Sequence, residues 1–268
     1  MVGVEDRSIV KVTNNSFARN TDIVCTESPL SLSVIFNDTE HSLGLLMRTP
    51  GDDLNLIRGL LYSEGIISSN SEIEEIESYL NTYKVILSKN SIFNPDKHIR
   101  KLTMTSSCGI CGKDSISNLL HLHGPRLSND IFIDMKIISN AIKSLKKGQV
   151  MFSETGGTHA CARLDKDGIL LHLSEDVGRH NAMDKLIGNA LVNNKIPINN
   201  EIVIVSGRCS FELIQKSLRA GFPIILALGA PTSLAVDIAM EHGMTLACFV
   251  KENKITVFSG SRRIIHRQ

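Results

Sequence analysis

The sequence predicts a mixed chain in two parts, a small α+β domain over residues 1–125 and an α/β domain over residues 126–268. Three observations predict this. At 268 residues the chain is long for one compact domain and comfortable for two. The second half alternates continuous apolar strands with helices, the pattern of a parallel sheet covered on both faces. The first half mixes short strands with helices and lacks that rhythm. Hydrophobic residues at 42% and charged residues at 21% are globular values, which excludes a mainly disordered chain.

The elements follow in order. SPLSLSVIFND (28–38) is rich in Leu, Val, Ile and Phe and reads as a strand, with HSLGLLMRTP (41–50) as its hairpin partner, stopped by Pro50. Asp52 or Asp53 then opens a helix that Gly65 ends. Residues 71–90 pass from an acidic segment into an alternating strand, TYKVILS. KLTMT (101–105) is a short strand candidate, SSCGICGK (106–113) a glycine-punctuated loop, and residues 114–124 a short helix. A further helix is expected over 131–147, ended by Gly148. Then come a buried strand at 201–207, a helix at 210–221, a strand at 223–230, a helix at 232–243 and a strand at 245–251, with 254–260 pairing beside it.

Composition narrows the function classes. No apolar run is long enough to cross a bilayer, and the N-terminus lacks a basic start followed by an apolar stretch, so a cytoplasmic protein with no membrane partner is expected. Six cysteines in such a chain are not a disulfide framework. Only Cys108 and Cys111 are close in sequence, and such a pair in a reducing compartment points to metal, redox or sulfur chemistry. The formal charge of +1 excludes a globally basic nucleic-acid binder, and 4% aromatics with no Trp gives no stacking platform for single strands. Residues 1–125 hold 11 Lys and Arg against 15 Asp and Glu, whereas residues 126–268 hold 18 against 13. An anionic ligand therefore belongs on the second half.

Four constellations could carry chemistry. At Cys108-Gly109-Ile110-Cys111, a following helix start, Lys113 and backbone N–H groups among glycines all lower a thiol pKa. A zinc site completed by His121 and His123, or a thioredoxin-type redox pair, remains open on spacing alone. The glycine pair in Gly156-Gly157-Thr158-His159, read as preceding a helix start, exposes N–H groups suited to an anion, although seen alone a tight turn with a core histidine fits better. Arg179-His180-Asn181 opens a helix, and Arg179 offers a planar fork for phosphate or a guanine edge; a capped, solvated turn is the bland reading. The loops Ser206-Gly207-Arg208 and Gly229-Ala230-Pro231-Thr232-Ser233 lie at the carboxyl ends of buried strands, where ligands gather in parallel sheets. They offer small residues, hydroxyls and helix N-termini, the kit for a pyrophosphate-bearing molecule, without a Walker or GxGxxG motif.

SSCGICGK, the stretch FSETGGTHACARLDKDGILLHLSEDVGRHNAMDKLIGNAL, and VSGRCSFELIQKSLRAGFPIILALGAPTSLAVDIA together resemble the FdhD/NarQ family of formate dehydrogenase accessory sulfurtransferases. The resemblance is densest over residues 104–260. It implies a sulfur carrier that accepts persulfide sulfur from a cysteine desulfurase and passes it to the molybdenum cofactor in its bis-guanine-dinucleotide form, bound transiently and destined for formate dehydrogenase. It places the persulfide on Cys108 and an assisting thiol at Cys111. It also implies that Phe249, Val250, Lys251 and Lys254 border the cofactor, the two lysines meeting phosphate charge. The second domain would be similar to a cytidine deaminase. Deaminase chemistry is not expected, because the triplet His159-Ala160-Cys161 lacks the general-acid/base Glu of H-x-E. A homodimer is expected for such a fold. A cofactor-binding chaperone without sulfur transfer, or a structural zinc protein, are the alternatives.

Overall fold

A computed structural model describes residues 2–98 and 124–265. The expected strand at 101–105, the CxxC loop and the body of the expected helix at 114–124 lie outside the described residues. The chain opens with an antiparallel ribbon of β1 (Val4–Thr13) and β2 (Ser16–Cys25), running from Val4 opposite Cys25 to Thr13 opposite Ser16. The sequence reading assigned nothing here, because the ribbon packs almost none of its side chains into a core and so carries little alternation to detect.

A four-stranded sheet follows, in the order β4-β3-β6-β5, from β3 (Ser28–Phe36), β4 (Thr39–Arg48), β5 (Ile73–Tyr79) and β6 (Thr82–Leu87). In β3, buried Leu30, Leu32 and Val34 alternate with residues on the other face, as a half-buried strand requires. The acidic segment at 73–79, to which the sequence reading gave no element, is the edge strand β5: its glutamates face solvent, and edge strands tolerate charge. Helix α1 (Asp53–Ser63) packs Leu56, Ile57, Leu60 and Leu61 into the core.

The second half contains α2 (Met135–Gly148), the short α3 (Val150–Thr155), β7 (His159–Leu164), β8 (Leu170–Asp176), α4 (Arg179–Val192), β9 (Ile202–Val205), α5 (Phe211–Ala220), β10 (Ile224–Ala227), α6 (Ser233–Glu241), β11 (Thr245–Lys251) and β12 (Lys254–Ser259). Its six-stranded sheet has the order β12-β11-β10-β9-β7-β8. The expected parallel sheet is present only at its centre, where β9, β10 and β11 run parallel; β7, β8 and β12 are antiparallel additions. Ile202 and Ile204 face α2, while Val203 and Val205 face the opposite layer, so both faces are covered.

Two further expectations are corrected. The helix expected from residue 131 begins at Met135, because the Asp134 side chain accepts from the Ile137 N–H as its N-cap and Ile133 pairs instead with Ile264. The Gly156-Gly157 pair does not precede a helix start: it follows α3, with Gly156 as its C-cap, and leads into β7. No helix N-terminus therefore stands at this pair to attract an anion.

One apolar cluster runs across residue 125, joining Leu30, Leu56 and Leu61 to Met183, Leu186, Leu213 and Leu246. Its tightest contact is between α1 and α4. A Cβ on Gly59 would lie 1.8 Å from the Asp184 carbonyl oxygen, and one on Gly188 would lie 1.9 Å from that of Asn55. Only glycine allows the two helix backbones to approach so closely.

Candidate functional site

The site is built where the central strands end. Ser206 prolongs β9: its N–H donates to the Ala160 carbonyl at 2.9 Å, and its hydroxyl accepts from the Ala160 N–H at 2.8 Å. The two strand-to-helix loops then cross in close contact. The Gly229 N–H donates to the Gly207 carbonyl at 3.0 Å, the Cys209 N–H to the Ala230 carbonyl at 3.0 Å, and the Thr232 N–H to the Cys209 carbonyl at 3.1 Å. A Cβ on Gly229 would stand 2.7 Å from the Arg208 nitrogen, so the crossing admits only glycine at that position. Thr232 and Ser233, at the start of α6, are exposed just beyond it.

Strand β11 approaches from the side. The Phe249 N–H donates to the Gly229 carbonyl at 3.2 Å. Phe249 has φ of 52°, a left-handed backbone that is rare for a bulky residue, at an irregularity in the pairing of β11 with β12. The strain turns its ring outward, 44% exposed and beside Phe258. Val250 is buried in the sheet core, while Lys251 and Lys254 face each other at the exposed hairpin end.

Charge gathers around His159. Its imidazole packs on Gly207, where a Cβ would lie 3.0 Å from Nδ1. Burial chiefly, and then the positive charge of Arg179, His180 and Arg208, lower its pKa. His159 is thus neutral at physiological pH, with a ring nitrogen able to accept. The Arg179 Nε is buried and has no hydrogen-bond partner among the described residues. A buried guanidinium nitrogen without an acceptor is costly unless something else supplies one. His180 Nε2 lies 3.2 Å from Ser210 Oγ and 3.1 Å from Glu212 Oε2, and the Ser210 hydroxyl donates to Glu212 at 2.9 Å. The hydrogen bond from His180 is the main cause that holds the Glu212 carboxyl down at about 2.

Sequence reasoning passed over Glu212, since an acidic residue in a first helical turn is ordinary. It also passed over the buried support beneath the α4 start. The Asp176 carboxylate is fully buried, pairs with Lys185 Nζ at 2.7 Å, and accepts from the Thr49 N–H at 3.1 Å and the Gly178 N–H at 2.8 Å. Asn181 belongs to this support: its amide donates to Asp176 and to the Met47 carbonyl. Thr158 is likewise turned inward, donating to Glu175 at 2.8 Å, and Gly157 lies against Cys25 at the end of β2. The contacts therefore unite His159, Arg179, His180, Ser206, Gly207, Arg208, Gly229, Ala230 and Phe249, and leave Gly156, Gly157, Thr158 and Asn181 as framework. Cys108 and Cys111 lie outside the described residues.

Cys161, Cys209 and Cys248 are buried beneath this surface. Burial raises the first two thiols far above their ordinary value and pushes Cys248 up to about 12. Since the thiolate is the reactive form, these three are expected to stay unmodified when the native protein is treated with iodoacetamide, and to react after denaturation. Peptide mass mapping reads this; native labelling of any of the three within minutes would contradict it.

A sequence profile of the FdhD/NarQ family matches residues 25–265. A protein of Saccharolobus solfataricus named Sulfur carrier protein FdhD is 38% identical over 263 residues, 98% of this chain and 99% of that one. One of Thermoplasma acidophilum with the same name is 39% identical, covering 97% and 93%. The crystal structure of a protein from Desulfotalea psychrophila, assigned as a formate dehydrogenase accessory protein, superposes with a TM-score of 0.79 at 24% identity, over 98% of this chain and all of that one. Among the described residues no helix is long and apolar enough to cross a membrane.

Proposed function

Because the chain belongs to the FdhD/NarQ family, we propose that it is a cytoplasmic sulfur carrier for formate dehydrogenase maturation. It takes sulfur from a cysteine desulfurase and delivers it to the guanine-dinucleotide form of the molybdenum cofactor, which is its cargo. The Cys108 thiolate attacks the terminal sulfur of the donor's persulfide; a new S–S bond forms on Cys108 and the donor cysteine leaves as a thiolate. On delivery the outer sulfur leaves as hydrosulfide toward molybdenum. The Cys111 thiolate closes onto Cys108 as a disulfide and supplies the two electrons, and a cellular dithiol then resets the pair.

The observation that carries the cofactor half of this reading is the buried Nε of Arg179, near His159 and without a partner among the described residues. A guanine edge or a phosphate oxygen is the acceptor it lacks. Exposed Arg208 and the loop N–H groups add donors for a pyrophosphate, and the outward Phe249 ring gives a base a face to rest on. A homodimer would present two such surfaces to the two nucleotide ends of one cofactor.

Guanosine diphosphate tests the surface by itself. Arg179→Gln is expected to weaken its binding roughly 10- to 100-fold, the range for losing a charge-assisted hydrogen bond. Melting should change little, since Nε has no partner to lose. Calorimetry showing equal affinity for the variant and the parent protein would move the nucleotide elsewhere. Sulfur loading is tested separately, by intact mass after incubation with an active desulfurase and cysteine. Gain of one sulfur, removed by dithiothreitol, is expected; no gain would leave a cofactor-binding chaperone.

A further inference from the structure

A second cationic feature lies at the opposite end of the six-stranded sheet. There α5 and α6 terminate and β11 begins, and a cavity of about 520 Å³ opens between them. Leu127 and Leu218 form its apolar wall, and Arg126, His242, Arg262 and Arg263 line the rest. No carboxylate lines it among the described residues. An adjoining hollow of about 500 Å³ shares Arg126, Leu127 and Asn129 with it.

The arginines are not equivalent. Arg263 is fully buried and its donors are committed to neutral acceptors. Nε and Nη2 reach the Ser128 carbonyl at 3.1 and 2.7 Å, Nη1 reaches the Gly243 carbonyl at 2.8 Å and Thr245 Oγ1 at 3.2 Å, and Nη2 also reaches Asn129 Oδ1 at 3.2 Å. Among the described residues it is therefore a fixed positive charge surrounded by dipoles, with no counter-ion. Its pKa is lowered by burial and then by the adjacent Arg262 charge, and the two guanidiniums share Asn129 Oδ1 as an acceptor. Arg262 is exposed and donates to Asn129 Oδ1 at 2.8 Å through Nη2. Its other donors, and those of exposed Arg126, have no partner among the described residues. A purely structural staple accounts for Arg263; it does not account for two further arginines on the same wall, which among the described residues carries no carboxylate, Asp130 lining only the adjoining hollow.

We propose that this cavity is a second anion site, which takes a phosphate-type oxyanion, free or carried on a larger molecule. Arg126 and Arg262 would be its direct ligands and Arg263 the fixed charge behind them. The site is separate from the loops at the carboxyl ends of the strands and does not depend on what those loops bind.

The test titrates pyrophosphate by calorimetry, with no nucleotide present, into the full-length Arg179→Gln variant, in which the other surface is weakened. One site is expected, weakened at least about tenfold when the double substitution Arg126→Gln/Arg262→Gln is added, whose exposed positions leave the fold intact. Guanosine diphosphate affinity should not change in the double variant by itself. Adenosine diphosphate binding more tightly than pyrophosphate would support a nucleotide-borne phosphate, and equal affinity a free anion. Absence of pyrophosphate binding, or equal binding with and without the double substitution, would overturn the proposal. Should guanosine diphosphate fail to bind at all, pyrophosphate binding that Arg126→Gln/Arg262→Gln weakens and Arg179→Gln does not would still support it.

Discussion

Gly59→Ala is expected to destabilise the protein by at least about 4 kcal/mol, beyond the usual range for an overpacked core position. The added methyl would sit 1.8 Å from the carbonyl oxygen of Asp184, and that atom is backbone, which no rotamer change can move aside. The α1 and α4 axes would have to part. Parting would loosen the apolar contacts of Leu56, Leu60, Met183 and Ile187 and disturb the buried Asp184–Lys216 pair, whose Nζ lies 2.8 Å from both carboxylate oxygens. A drop of roughly 10 °C or more in Tm is the corresponding reading for a chain of this size. Gly188→Ala should behave similarly, since its Cβ would meet the Asn55 carbonyl oxygen at 1.9 Å. Melting within about 2 °C of the parent protein for both variants would mean that the helices do not cross where described.

Cys108→Ala is expected to abolish sulfur loading and the maturation of formate dehydrogenase while leaving the fold and guanosine diphosphate binding unchanged. Burial silences Cys161, Cys209 and Cys248, so persulfide exchange at neutral pH falls to the remaining thiols. Of these, the CxxC pair carries the flanking glycines and Lys113, a sequence context that favours a thiolate. Intact mass after desulfurase treatment and formate oxidation in a strain lacking the parent gene are the two readouts. A fully active alanine variant would sink the relay. Cys111→Ala should still load sulfur and fail to release it, because the thiol that closes onto Cys108 is gone.

The second half was the more legible one, for a physical reason. β9 and β10 are buried on every side, so their sequences are unbroken apolar runs, and each is followed by a loop and a helix start. From that pattern alone the crossed loops at Ser206–Arg208 and Gly229–Ala230 could be placed. The ribbon of β1 and β2 was not readable, since strands that face solvent on both sides have no apolar period to display. Strand β7 was missed because Gly156-Gly157 suggested a helix start, whereas the glycines end α3 instead. Within the site, Arg179 and His180 stood out by charge. Glu212 and the Asp176–Lys185 pair did not, because their roles depend on partners far away in sequence, such as Thr49. The same distance hides Gly59 and Gly188, which look like ordinary helix-weakening residues until their partners are known.

The meeting of α1 with α4 also has a consequence for how the protein is made. Asp184 is synthesised about 125 residues after Gly59. At ordinary rates of translation that is an interval of roughly 6–25 s, far longer than a helix or hairpin needs to form. For about as long after α1 emerges from the ribosome, its apolar flank that α4 will cover has nothing to cover it. The growing chain therefore passes through a long interval in which it is a natural client for chaperones that bind nascent polypeptides, and its maturation begins before its last strand exists.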